Sequence, residues 1–75
     1  MHEYSDSDGD PTIVGYHDGD DFIQIHYRDG RVLEVRTPPF GMERVISLRQ
    51  IARLGAGLAQ VMRQSGDEAR AQRID

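Results

Sequence analysis

Apolar and polar residues alternate through two runs, residues 22–27 (FIQIHY) and 32–37 (VLEVRT), on either side of Arg28-Asp29-Gly30. Alternation of this length predicts two strands, each with one buried face. The pattern also selects the loop. A two-residue loop at Asp29-Gly30 would put Ile23 and Ile25 on the same face as Glu34 and Arg36. A three-residue loop pairs Tyr27 with Arg31, Ile25 with Leu33 and Ile23 with Val35, and sets Gln24 opposite Glu34 on the other face. Only the longer loop separates apolar from polar residues, because a slip of one residue turns every side chain over. A type I turn with a left-handed Gly30 as a bulge is therefore expected.

Residues 12–16 (TIVGY) read as an earlier strand, and HDGDD after it as a turn. Pro38-Pro39 ends the hairpin's second strand, since proline has no N–H for the ladder. Phe40-Gly41 turns the chain, and residues 42–46 are read as a short fourth strand. Ser47 with Gln50 three positions on resembles a capping box, so a helix is expected over residues 48–64, with Gly66 as its stop. Its apolar stripe is Leu48, Ile51, Ala52, Gly55, Leu58, Ala59 and Met62. That stripe should cover a sheet face made by Val14, Tyr16, Ile23, Ile25, Tyr27, Leu33 and Val35. The expected fold class is α+β: a three- or four-stranded antiparallel meander with one C-terminal amphipathic helix packed on one face. Residues 11–66 form the single domain. Residues 1–10 are read as a flexible acidic tail, and residues 67–75 as a C-terminal tail with a frayed turn or two of helix.

Leu54 and Val61 widen the helical stripe to about half the circumference. That is more than one small sheet needs, so either another element of the chain or a second subunit covers the edge. Leu54, Gly57 and Val61 are the expected homodimer contacts. Gly55 and Gly57 each cost the helix about 1 kcal/mol against alanine; Gly55 is read as a close approach to the sheet, and Gly57, pointing the other way, as a contact with a second helix or a break.

Charge adds a second pattern. The chain has 75 residues, thirteen acids and nine cations, all arginine, for a net charge of −4. Residues 1–21 hold seven acids and no arginine. A core of this length is marginal. With no cysteine, it cannot rely on disulfides or thiolate zinc. No stretch reads as a signal peptide or a membrane span, and a cytoplasmic location is expected.

Catalytic groups are sparse. The chain has no Cys and no Lys, and no motif places a serine beside a histidine and an acid. No enzyme activity and no cofactor are expected. Asp6, Asp8 and Asp10 alternate like the start of a calcium loop, but Pro11 and His17 stand where the loop needs glycine and glutamate. A metal-dependent function through His17 and the turn aspartates is one alternative. Another is a nucleic-acid-binding accessory using Arg28, Arg31, Arg49 and Arg53. The leading expectation is a small acidic protein-binding module that regulates or inhibits a larger protein. Its contacts would be Asp18, Asp20, Asp21, Arg49 and Arg53. Phage-type inhibitors of nucleic-acid-handling host defence complexes supply the analogy, by size and charge alone.

Overall fold

The computed structural model describes residues 1–75. It is an α+β fold with a five-stranded antiparallel sheet and three helices. The strands are β1 (His2–Glu3), β2 (Ile13–Asp18), β3 (Phe22–Tyr27), β4 (Val32–Arg36) and β5 (Gln72–Arg73). They lie in chain order as a meander. Helices α1 (Met42–Leu54), α2 (Leu58–Gln64) and α3 (Asp67–Arg70) fall between β4 and β5.

The central hairpin has the register that its alternation dictates. Ile25 faces Leu33, Ile23 faces Val35 and Gln24 faces Glu34. The Tyr27 N–H donates to the Arg31 carbonyl at 2.8 Å, and Gly30 sits at φ +98°. All of Ile23, Ile25, Tyr27, Leu33 and Val35 are buried against the helices.

β2 departs from simple alternation. Ile13 pairs with Tyr27 and Gly15 pairs with His26, so one extra residue is taken up between them. This bulge lets Ile13 and Tyr16, three positions apart, both face the core. Val14, expected inside, is turned out to 43 % exposure and Ile13 takes its place.

The expected single helix is two, with a third short one following. Residues 42–46 are the first turns of α1 rather than a strand, and Val45 joins Leu48 and Ala52 on its buried face. Ser47 therefore lies inside a helix whose N-cap is Gly41. Gly55 and Gly57 adopt left-handed conformations at φ +80° and +87°. That region costs an L-residue about 1–2 kcal/mol, and glycine enters it without strain. Gly55 closes α1 by donating to the Ile51 and Ala52 carbonyls, as left-handed C-terminal glycines do. The Leu54-Gly-Ala-Gly-Leu58 segment is a corner and not a close approach within one helix.

Residues 1–10 belong to the fold and are not a loose tail. His2 and Glu3 pair with Tyr16 and Gly15, and Tyr4 is buried in the core. The Tyr4 hydroxyl donates to Asp6 Oδ2 at 3.1 Å and accepts the Leu58 N–H at 3.1 Å. Asp6 Oδ2 also accepts the Gly57 N–H at 2.9 Å, and the Ser7 N–H donates to the Gly55 carbonyl at 2.8 Å. The arm thus covers the corner between α1 and α2. The two residues that widened the expected stripe are divided by this corner: Val61, in α2, packs on the core, and Leu54, at the end of α1, stays exposed. The C-terminal residues are also used, with β5 pairing along β4 and Asp67 fully buried beside Arg44.

Candidate interaction surface

The alternation that buries one face of the sheet leaves the other free of helices. Its side chains come from His17 on β2, Phe22, Gln24 and His26 on β3, and Val32, Glu34 and Arg36 on β4. Phe22 lies at the centre of one end. The Arg36 guanidinium stacks over its ring at 4.7 Å from the centroid, and the His17 ring sits 5.7 Å away. Glu34 accepts from Arg36 Nε at 2.9 Å and from Gln24 Nε2 at 2.9 Å. Those two bonds, Arg36's the larger, hold the Glu34 carboxyl below its usual range. The face is therefore an ordered polar surface with one aromatic anchor.

Asp20 and Asp21 sit beside this end, in the β2–β3 turn. Asp20 is exposed, and Asp21 is half-exposed with Arg36 Nη1 3.5 Å away. Asp18, expected with them, is placed elsewhere. It pairs with Ile23 and so points to the helix side, where its side chain is only 7 % exposed. Arg49 Nε donates to Asp18 Oδ2 at 2.9 Å, and Arg53 Nη2 lies 3.4 Å from the same oxygen. Burial acts to raise the Asp18 carboxyl. The Arg49 hydrogen bond and the charges of Arg49, Arg53 and His2 together outweigh it and hold the group low. Asp18, Arg49 and Arg53 thus tie β2 to α1, with the Asp18 carboxylate buried and the Arg53 side chain still 62 % exposed.

The residues expected at a homodimer contact also separate. Gly57 forms the corner before α2, and Val61 packs on the core. Leu54 alone projects, at 81 % exposure. The His17–aspartate group does not converge, because His17 is on the open face and Asp18 on the opposite one.

The arginines show the largest gap between sequence and structure. Arg31, Arg36, Arg44, Arg49, Arg53, Arg63, Arg70 and Arg73 each lie within 4.0 Å of a carboxylate of this chain. Arg28 alone has no such partner. Among the acids, Glu3, Asp8, Asp20 and Glu43 are exposed and face no cation. No sequence signal marks which charges cancel, since the pairs span up to fifty-three positions. No family model matches the chain, and comparison with curated proteins and with solved structures returns no match.

Proposed function

We propose that the chain is a non-catalytic protein-binding module that regulates or inhibits a larger protein. It meets a basic surface of that protein through the β2–β3 turn and the adjoining end of the open sheet face. The observation that carries this reading is the distribution of unpaired charge. Eight of nine arginines lie within 4.0 Å of a carboxylate of the chain, Arg49 and Arg53 sharing Asp18 and Arg44 and Arg70 sharing Asp67, while Glu3, Asp8, Asp20 and Glu43 remain free. A cationic partner gains from such a surface at long range, and like-charged partners are rejected. A polyanion would have to displace internal carboxylates to reach the arginines, which weakens the nucleic-acid reading. Phe22, flanked by Arg36 and His17, supplies the aromatic contact that interface centres favour. Occupying the basic groove of a nucleic-acid-handling complex is the finer form of this proposal.

A nuclease-treated pull-down, with wild type beside an Asp20→Lys/Asp21→Asn form, tests it. Asp18 is left intact because its loss would disturb the fold. A stoichiometric protein captured by wild type and lost from the variant supports the reading. Signal that appears only when nuclease is omitted transfers it to nucleic acid.

Self-association through Leu54 is a second reading, favoured by that residue's 81 % exposure. Light scattering at high micromolar concentration tests it, with Leu54→Lys as the control. A wild-type monomer removes it.

A further inference from the structure

Two shallow depressions lie side by side on the surface, of about 290 Å³ and 480 Å³, and Pro11 and Arg28 line both. Ile13 and Val14 add apolar surface to the first, and Thr12 and Tyr27 line the second. Val14 is there because the β2 bulge turns it outward. The root of Arg28 is fixed, since its backbone N–H donates to the Thr12 carbonyl at 2.8 Å. Its side chain is exposed and makes no ion pair.

The absence of an internal partner sets Arg28 apart chemically. An incoming carboxylate at any other arginine must compete with one already in place, and the exchange gains little. At Arg28 it gains a charge-assisted contact, which the planar guanidinium fork can make bidentate, with nothing displaced. The neighbouring Pro11 and Val14 offer an apolar ledge beside that cation. Asp6 and Asp10 also line the first depression and Asp29 the second, and all three have contacts of their own. Asp6 accepts from Gly57 and Asp8, Asp10 pairs with Arg63, and Asp29 pairs with Arg31. Both depressions are open to solvent, so they suit side chains of a docked extended segment better than an enclosed metabolite.

We propose that the groove centred on Arg28 binds an extended peptide segment through an acidic side chain next to an aliphatic one. The carboxylate lies on the Arg28 guanidinium, and the aliphatic group on Pro11 and Val14. This site is separate from the acidic turn proposed above, and it stands or falls independently of that reading.

The test is an amide and arginine Nε chemical-shift titration of the ¹⁵N-labelled full chain. The probes are N-acetyl-Leu-Glu-Leu-amide, the matching Leu-Gln-Leu peptide, and inorganic phosphate. The expected result is saturable shifts at Arg28 Nε and the Val14 amide with the glutamate peptide. Affinity should fall at least tenfold with the glutamine peptide or with Arg28→Gln. Arg28→Lys should retain part of it, and Arg31→Gln most of it. Arg28→Gln should keep the wild-type melting temperature, because the side chain has no internal partner to lose. Equal binding of the glutamine peptide, or unchanged binding to Arg28→Gln, would overturn the proposal. Phosphate binding as tightly as the glutamate peptide would overturn the peptide assignment in favour of a simple anion site.

Discussion

The Asp6 carboxylate accepts the backbone N–H of Gly57 at 2.9 Å, across fifty-one positions of sequence. One oxygen of Asp6 also takes the Tyr4 hydroxyl, which in turn takes the Leu58 N–H. The start of α2 has no side-chain cap of its own. Residues 1–10 provide one from outside the helix, satisfying donors that the helix cannot. The acidic arm is thereby part of the core and part of the helix corner together.

Tyr4 is the sharpest probe of that relationship. Its side chain is buried, so Tyr4→Ala should destabilise the protein by about 3–5 kcal/mol, the range for large aromatic truncations. Tyr4→Phe keeps the packing and removes the bridging hydroxyl, for about 1 kcal/mol. Urea unfolding measures both. If residues 1–10 were a loose tail, neither change would move the midpoint.

A second prediction concerns the helix corner, where the sign of the effect decides. Inside a continuous helix, Gly→Ala at Gly55 or Gly57 would stabilise by about 1 kcal/mol. Both residues instead have positive φ, and alanine there costs about 1–2 kcal/mol. No neighbouring atom lies within 4 Å of an added Cβ at either position, so backbone strain alone sets the result. Thermal unfolding of the two alanine variants should therefore show a lowered midpoint.

The hairpin was legible from sequence because its two faces differ at every position, and one register alone satisfies that difference. The α+β class and most of the core followed from the same periodicities. What escaped was whatever depends on distant partners. Tyr4 sits among polar residues, so the composition of residues 1–10 hides one buried ring. The β2 bulge exchanges Ile13 for Val14 without any change in the local apolar run. Gly55 and Gly57 carried a usable signal, a left-handed stop after an apolar periodic run, but the uninterrupted apolar spacing beyond them masked it. Asp18 looks like Asp20 and Asp21 in sequence. It differs because it still belongs to the strand, on the face that α1 covers.

That difference yields a third prediction. Asp18→Asn removes the charge that Arg49 and Arg53 share, and should cost about 2 kcal/mol, typical of a hydrogen bond to a charged group. Asp20→Asn, on an exposed turn, should stay within about 0.5 kcal/mol of wild type. Paired denaturation curves distinguish them. Equal effects would show that the Asp18 contacts contribute nothing to the fold.

The pH dependence of stability follows from the same carboxylates. Asp6 is held low by the N–H groups of Gly57 and Asp8, and Asp10 by Thr12 and Arg63. Asp29 is held low by the Arg31 N–H, Glu34 by Arg36, and Asp75 is drawn down to about 2 by Arg73. Asp18 is low because its arginines outweigh burial. Each folded value lies below the unfolded one, near 3.9 for Asp and 4.3 for Glu. The stabilisation is therefore complete above those unfolded values and disappears as pH falls through the folded ones. On the alkaline side, burial pushes the Tyr27 phenol up to about 12, above its unfolded value near 10. Its contribution is intact below pH 10 and declines as pH rises towards 12. Denaturant midpoints should thus be flat, so far as these groups decide, between about pH 5 and 9. They should drop steeply from about pH 4 towards 2. Asp18→Asn should shallow that acid limb and leave the alkaline limb unchanged, whereas Tyr27→Phe should shallow the alkaline limb alone, the rest of it belonging to Tyr4, whose phenol burial also raises. An acid limb identical in wild type and Asp18→Asn would show that the Asp18 carboxyl titrates normally, against its pairing with Arg49.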